Sequence, residues 1–422
     1  MEAFLRRAVA QGMLRALDLH FARRMEALAG GDAPELLLAA ALVSHRVGEG
    51  DVCLDLERCR ELPLLHDAGD RGGPWVPTPE VWIDALGTRS VVGKPGGRAP
   101  LILDRHGRLY LGRYWWFERQ VTAALLTRVR SPPPPTVDHD RLRAGLGRLF
   151  PGTGDIGWQR VAAVVAVLQH LCLISGGPGT GKNRDRDPRP AGGAGKGCTL
   201  AYGLGCPHRQ GGGPTFGVHP HRQGGVVGDR ADLGSHPRGG RYAAPLARLS
   251  PGVRYSAPWR GQPLHLEVLV VDEASMVDLP LMARLLVALP ACARLVLLGD
   301  KDQLASVETG RVLGDLCGRD RAPGYSPGLC TEIAAVAGDR LVPVTTAGPN
   351  LGDRILVLRE SRRFGKDSGI GALARAVNRG DADAALRILT DDRYPDVGLE
   401  APRPQVPADL IRQRLVLFCS RY

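Results

Sequence analysis

Residues Leu171–Lys182 read LCLISGGPGTGK, an uncharged run that opens into a loop of four glycines ending in lysine. LCLIS has the length and apolar character of a buried strand. The loop from Gly176 to Lys182 follows the spacing G-x-x-x-x-G-K. Such a loop holds phosphate when it runs from a strand into a helix, because the backbone N–H groups and the helix N-terminus face the anion. A strand does precede this one. The bland alternative is a Gly-rich turn with a solvated lysine.

Working outward, the segments on either side supply the rest of an α/β unit. Upstream lie two helical stretches, HDRLRAGLGRLF and GWQRVAAVVAVLQH, joined by PGTGD. Downstream, HLEVLVVDEAS and ARLVLLGDKDQL are apolar strands that end in acidic residues, with the helical pattern LPLMARLLVAL between them. Strands this uniformly apolar belong to a parallel sheet covered on both faces. The expected fold class is therefore α/β, a P-loop NTPase fold built on a parallel sheet.

Residues 1–130 carry helical apolar spacing in AFLRRAVAQGMLRALDLHFARRMEAL and PELLLAAALVSHRV. RAPLILDRHGRLYLGRYWWFERQVTAALL reads as a hairpin turned at His106-Gly107 and leading into a helix. SPPPPTVDHD, at 131–140, is a linker by composition. The expected organisation is a mainly helical domain over 1–130, the linker, an α/β domain over 141–340, and a further segment over 341–422.

At 422 residues the chain has room for two or three cores. Its longest apolar run, LLLAAALV at 36–43, is far too short to span a membrane, and MEAFLRRAVAQ lacks a signal-peptide core. A cytoplasmic, non-membrane protein is expected. The 9 cysteines form no C-x-x-C pair and no zinc-spaced cluster, which points away from a disulfide framework or a structural metal. A net charge of +11 suits a polyanionic partner, although a GC-rich genome enriches arginine as well.

The chemistry of the three acidic or glycine-rich strand ends converges on ATP and Mg2+. Gly176, Gly177, Pro178, Gly179, Thr180, Gly181 and Lys182 form the phosphate cradle, with Lys182 reaching the outer phosphates. Asp272 suits a magnesium-organising carboxylate, and Glu273 suits a base for the attacking water. Gln303, at the end of the next strand, can sense or position that water. Without the loop, Asp272 and Glu273 would read equally well as a solvated strand end.

GWQRVAAVVAV before ISGGPGTGK, then LEVLVVDEASMVDLPLMARLL, LVLLGDKDQLASVETGRVLGDLC and LRESRRFGKDSGIGALARAVNRGD, resemble the RecD family, the alpha subunits of exodeoxyribonuclease V. LLLAAALVSHRVGEGDVCLDL and GRLYLGRYWWFERQV are similar to that family as well. The resemblance covers roughly 1–182 and 249–395. It implies a superfamily 1 helicase moving 5′ to 3′ on single-stranded DNA, loaded at duplex ends beside RecB-like and RecC-like subunits in double-strand-break repair and recombination. It implies further that 1–130 is a partner-docking domain, 141–340 a RecA-like first motor domain and 341–422 the incomplete start of a second. It also implies that Gln159 contacts adenine, Lys182 the phosphates, Asp272 the magnesium, Glu273 the hydrolytic water and Gln303 the γ-phosphate. Arg363 in ESRRF would act as an arginine finger from the second motor domain.

Residues 183–248 depart from that pattern. They hold 16 Gly and 7 Pro with no Ile, Met or Glu, a composition expected to be loop-like and unable to build a packed helix or a buried strand. The family pattern needs Thr or Ser at 183, where this chain has Asn, and then segments resembling APTGKAAARL and TLHRLLG. One base inserted after the Lys182 codon accounts for the loss. Removing it converts AAC CGT GAC CGT GAC CC, one coding of the residues from Asn183, into Thr-Val-Thr-Val-Thr. The same shift turns GCPHRQGGGPTFGVHPHRQGG and RYAAPLAR into strings compatible with the two missing segments. A compensating loss near Arg248 restores the frame. The alternative is a lineage-specific disordered insertion. The chain is also expected to be truncated, since it stops before the family's later motifs. Three function classes follow: a helicase subunit, a non-catalytic interaction subunit of a repair complex, and an ATPase acting on another substrate.

Overall fold

The computed structural model describes residues 1–66, 76–132, 137–150, 156–177, 180, 200–204, 264, 266–303, 309–318, 324–344, 351–358 and 368–399, with the backbone alone at 200–204. Helices α1 (Glu2–Ala10), α2 (Ala16–Leu28) and α3 (Pro34–Gly48) open the chain. Gly12, at φ +73°, falls in the break between the first two, a left-handed turn that glycine takes at little steric cost. Pro34 starts α3, where its missing N–H costs nothing. Every residue of α3 from Leu36 to Ser44 is buried, so the apolar run at 36–43 is the axis of the N-terminal core.

Short helices α4 (Pro63–His66) and α5 (Pro79–Gly87) and strands β1 (Cys53–Asp55), β2 (Val92–Gly93), β3 (Leu101–Leu103) and β4 (Arg108–Leu111) complete that core. The strands form a sheet in the order β1-β4-β3-β2. The hairpin expected at His106-Gly107 is present between β3 and β4. Gly107 sits at φ +68°, and Asp104 Oδ1 accepts from the N–H groups of His106 and Arg108, both at 2.9 Å. The region is thus helical with a small sheet; its strands, two to four residues long, are too short for alternation to be visible in the sequence.

Helices α6 (Gly112–Arg130), α7 (His139–Leu149) and α8 (Trp158–Leu168) lead into β5 (Leu171–Gly176). Then come β6 (Leu200–Leu204), β7 (Val268–Val271), α9 (Leu279–Ala288), β8 (Arg294–Gly299), α10 (Val312–Cys317), α11 (Pro327–Ala337), β9 (Ile355–Leu358), α12 (Gly369–Asn378) and α13 (Ala382–Leu389). The second sheet has the order β6-β7-β8-β5-β9, in which β7, β8, β5 and β9 are parallel. Its residues alternate between two cores. Leu171, Leu173, Leu269, Val271, Leu295 and Leu297 face α6, α9 and α10, while Cys172, Ile174, Val296 and Leu356 face α8 and α11. This is the sheet covered on both faces that the apolar strands predict.

Strand β6 falls inside the stretch whose composition argues against a buried strand. It lies at the sheet edge, antiparallel to β7, with a register shift between Ala201 and Gly203. An edge strand completes its ladder on one side only, so LAYGL suffices there. The rest of 183–248 lies outside the described residues.

Helix α6, at the end of the expected N-terminal domain, contributes to the core of the second sheet. Tyr114, Val121, Leu125 and Val129 are buried with the α9 and sheet residues. Arg128 is buried beside them, donating from Nε to the Ala293 carbonyl at 3.3 Å and from Nη2 to the carbonyls of Leu289 and Pro290 at 3.3 and 2.8 Å. In return, Arg354 Nη2 donates to the Val129 carbonyl at 2.9 Å.

Candidate nucleotide site

Three parallel strands end on one side of the sheet, and their ends form the site. In register, Ser175 of β5 lies beside Gly299 of β8, and Val271 of β7 beside Leu297. The chain therefore brings Gly176-Gly177, Asp272-Glu273 and Asp300 to the carboxyl edge, where ligands bind in open α/β sheets.

The loop begins under tight packing. A Cβ on Gly176 would lie 2.4 Å from Thr180 Oγ1 and 3.0 Å from Leu358 Cβ, so only glycine lets the chain turn there. Thr180 is buried and folds back, its Oγ1 donating to the Gly177 carbonyl at 2.9 Å. Pro178, Gly179, Gly181, Lys182 and Asn183 lie outside the described residues, as does Arg363.

Gln159 is brought to this loop from the first turn of α8. Its Nε2 donates to the Thr180 carbonyl at 2.9 Å. The turn that presents it is held by Asp339, which accepts from Gly157 N at 3.0 Å and from Arg160 Nε and Nη2 at 2.8 and 2.7 Å. That hydrogen-bonded carboxylate raises the Arg160 guanidinium further above its already high ordinary value. Asp339 follows α11, 180 residues from Gln159, and no sequence signal marked it.

Asp272 and Glu273 are both half-buried at the end of β7. Asp272 Oδ1 accepts from the Glu273 N–H at 2.8 Å. Glu273 holds φ +52°, ψ +39°, a left-handed conformation that a non-glycine residue adopts at a cost, and which re-aims the chain into the 3₁₀ turn Ala274–Met276. Within that turn, Ser275 Oγ donates to Gln303 Oε1 at 2.8 Å. The loop bearing Gln303 is further fixed by Lys301 N, which donates to the buried Ser175 Oγ at 2.9 Å, and by Gln303 N, which donates to the Asp300 carbonyl at 3.2 Å. The sequence motifs assign no role to Ser175, Ser275 or Asp300, although Asp300 is one of the acidic residues that end the second apolar strand. Asp300 Oδ2 lies 4.0 Å from the Cβ position of Gly177, and its place after an apolar strand was the available signal.

The donor set fits a magnesium ion of the kind that binds through one or two carboxylates and its ligand's phosphates, because hard carboxylate oxygens stand where a phosphate loop opens. Among the described residues no three His, Cys, Asp or Glu side chains form an all-protein metal cage. No described helix is long and apolar enough to cross a membrane.

Residues 10–110 match the family described as RecBCD enzyme subunit RecD, N-terminal domain, and residues 226–326 match the AAA domain family. The second match begins inside the compositionally aberrant stretch. Among curated proteins, the RecBCD enzyme subunit RecD of Mycobacterium tuberculosis (strain ATCC 25618 / H37Rv) is 36% identical over 96% of this chain and 64% of its own length. The Haemophilus influenzae RecBCD enzyme subunit RecD is 30% identical over 85% of this chain and 58% of its own length. The ATP-dependent RecD2 DNA helicase of Deinococcus radiodurans is 27% identical over 75% of this chain and 40% of its own length. The chain thus spans just under two thirds of the first of these relatives. A RecD-type N-terminal domain match over residues 10–110, a P-loop sheet with its acidic strand ends, and similarity to RecD subunits over nearly the whole chain lead to one conclusion: this chain is similar to the RecD subunits of RecBCD enzymes.

Proposed function

We propose that the chain is an ATP-dependent DNA helicase subunit of the RecBCD type, working in the cytoplasm on single-stranded DNA exposed at duplex ends, with RecB-like and RecC-like partners and 5′ to 3′ polarity. The observation that carries the reading is the bond from Gln159 Nε2 to the Thr180 carbonyl, which joins a nucleotide-contacting glutamine to the phosphate loop above a sheet edge lined by Asp272, Glu273 and Gln303. A P-loop protein that only bound phosphate would need no such set.

In this reading the loop N–H groups and Lys182 hold the ATP phosphates, and Gln159 reads adenine. Asp272 would hold magnesium, which when bound supplies neutralisation of phosphate charge. Glu273 accepts the proton of the attacking water. Gln303 orients that water or contacts the γ-phosphate. Arg363 stabilises charge on the transferred phosphoryl.

A second reading, a non-catalytic interaction subunit, is favoured by residues 183–248. Asn183 replaces a short hydroxyl with a longer amide in a site that tolerates little misplacement. Pro188 and Pro190 each cost about 3 kcal/mol in the interior of the helix that should support the loop. We infer that the stretch is a frame-shifted segment and that the chain as written has little or no unwinding activity. Robust ATP-dependent unwinding by the purified chain would overturn that inference. Resequencing the gene across the codons for Lys182 and Arg248 tests its cause. A corrected chain with Thr at 183 should regain DNA-stimulated ATP hydrolysis that Lys182→Ala abolishes; a corrected chain that hydrolyses nothing would sink the helicase reading.

A further inference from the structure

Resting on that reading, we propose that the N-terminal domain is a working part of the nucleotide site, and that Thr309 is the positioning residue that ties helix α3 to the segment orienting Gln303. Thr309 is 4% exposed. Its Oγ1 donates to the Val47 carbonyl in the last turn of α3 at 2.9 Å, and the next N–H, of Gly310, donates to the Gly50 carbonyl at 3.0 Å. Toward the sheet, the Thr309 carbonyl accepts from Leu279 N, the first residue of α9, at 3.2 Å. Both sides of the contact therefore carry directional bonds, beside the apolar packing of Val47 and Val52 against the core of the second sheet.

From Leu279 the path to the glutamine is short. Asp278 caps α9, accepting from Leu281 N at 2.7 Å. Three residues earlier, Ser275 holds Gln303 Oε1. Neither end of this segment has room to drift. Gly310 sits at φ +104° with its Cβ position 2.6 Å from Leu279 Cβ, and a Cβ on Gly299 would lie 3.0 Å from Ser275 N. Displacing Thr309 displaces Leu279, and with it the turn that carries Ser275.

The orientation of Gln303 matters chemically. A carboxamide offers an acceptor on one side and donors on the other. With Oε1 accepting from Ser275, the amide presents its N–H groups outward, the polarity required to meet a phosphoryl oxygen or the lone pair of a water. Loss of the Ser275 bond would free the amide to turn its acceptor toward the same place. The N-terminal domain thereby biases which face of Gln303 the nucleotide meets, so that a partner docked on that domain can alter turnover without touching ATP.

The test is amide hydrogen exchange, read by mass spectrometry on the full chain for wild type, Thr309→Val, Thr309→Ser and Gly50→Ala. Valine fills the volume of threonine, and the Val47 carbonyl keeps its bond from Gly50 N, so the variant should fold. Thr309→Val should speed exchange in peptides covering 272–282 and 294–303 by roughly tenfold, the effect of one lost hydrogen bond on local opening. Thr309→Ser should restore the wild-type rate. Gly50→Ala, which strains a residue at φ +96° on the far side of the contact, should reproduce the faster exchange in the same peptides. Thr331→Val, which removes an exposed hydroxyl bonded to the Pro327 carbonyl, should leave them unchanged. Unchanged exchange at 272–282 and 294–303 in Thr309→Val, an equal rise across all peptides, or no rescue by serine overturns the proposal. Exchange needs no turnover, so the helicase reading is tested separately: failure of the frame-corrected chain with Thr at 183 to bind ATP in equilibrium dialysis would sink it.

Discussion

Glu273 shows what the site costs at the scale of one residue. Its left-handed backbone carries a penalty on the order of 1–3 kcal/mol for a non-glycine side chain, and among the described residues only Asp32 shares that feature. Glu273→Gly should therefore raise the free energy of unfolding by about 1 kcal/mol, measured by urea titration, while removing the base proposed for hydrolysis. A destabilised variant would mean that the carboxylate contributes more to the fold than its backbone costs. Asp18 gives a pH dependence. Burial pushes its carboxyl upward, but hydrogen bonds from the Arg15 guanidinium, Ser44 Oγ and Arg15 N–H outweigh that and hold it below the ordinary carboxylate value. A depressed folded-state value means that stability is fully present above the unfolded value near 4 and is lost as pH falls through the folded one. Urea midpoints between pH 6 and 3 should converge for wild type and Asp18→Asn as the pH drops; a constant gap would contradict this.

At the scale of an element, helix α6 decides how the two halves meet. Its apolar positions 114, 121, 125 and 129 enter the core of the second sheet, and Arg128 closes the turn after α9 by donating to three carbonyls. Burial lowers the guanidinium below its usual very high value, and it remains a donor throughout the working range. Arg128→Met fills a similar length but leaves the Leu289, Pro290 and Ala293 carbonyls without this donor. The expected loss is about 2–3 kcal/mol in urea unfolding. A loss under 0.5 kcal/mol would show that water replaces the guanidinium there. The amphipathic helix was legible from its spacing, whereas the partner of its buried face was not, because periodicity reports that a face is covered and not by what.

For the whole molecule, the shared core predicts cooperativity. The N-terminal domain and the P-loop sheet are joined by α6, by the Arg354 bond to Val129, and by Thr309 and Gly310 at the end of α3. Calorimetry should record one unfolding transition spanning both, and Arg128→Met should shift it without splitting it. Two separated transitions in the wild-type chain would mean that these contacts are too weak to couple the halves.

The sequence by itself determined the α/β class, the strand before the glycine loop, the acidic ends of the two later strands and the hairpin at His106-Gly107. Each is a local pattern, set by strand apolarity, by glycine's freedom at positive φ or by the reach of a short side chain. Only the tertiary structure decided that Asp339 anchors the Gln159 turn, that Ser275 orients Gln303, that α6 packs on the P-loop sheet and that Thr309 joins α3 to the site. Those contacts link positions up to 262 residues apart. A buried carboxylate, a serine in a turn or a threonine after a loop acquires its partner only when the sheet closes, since hydrogen bonds across the fold leave no period in the chain.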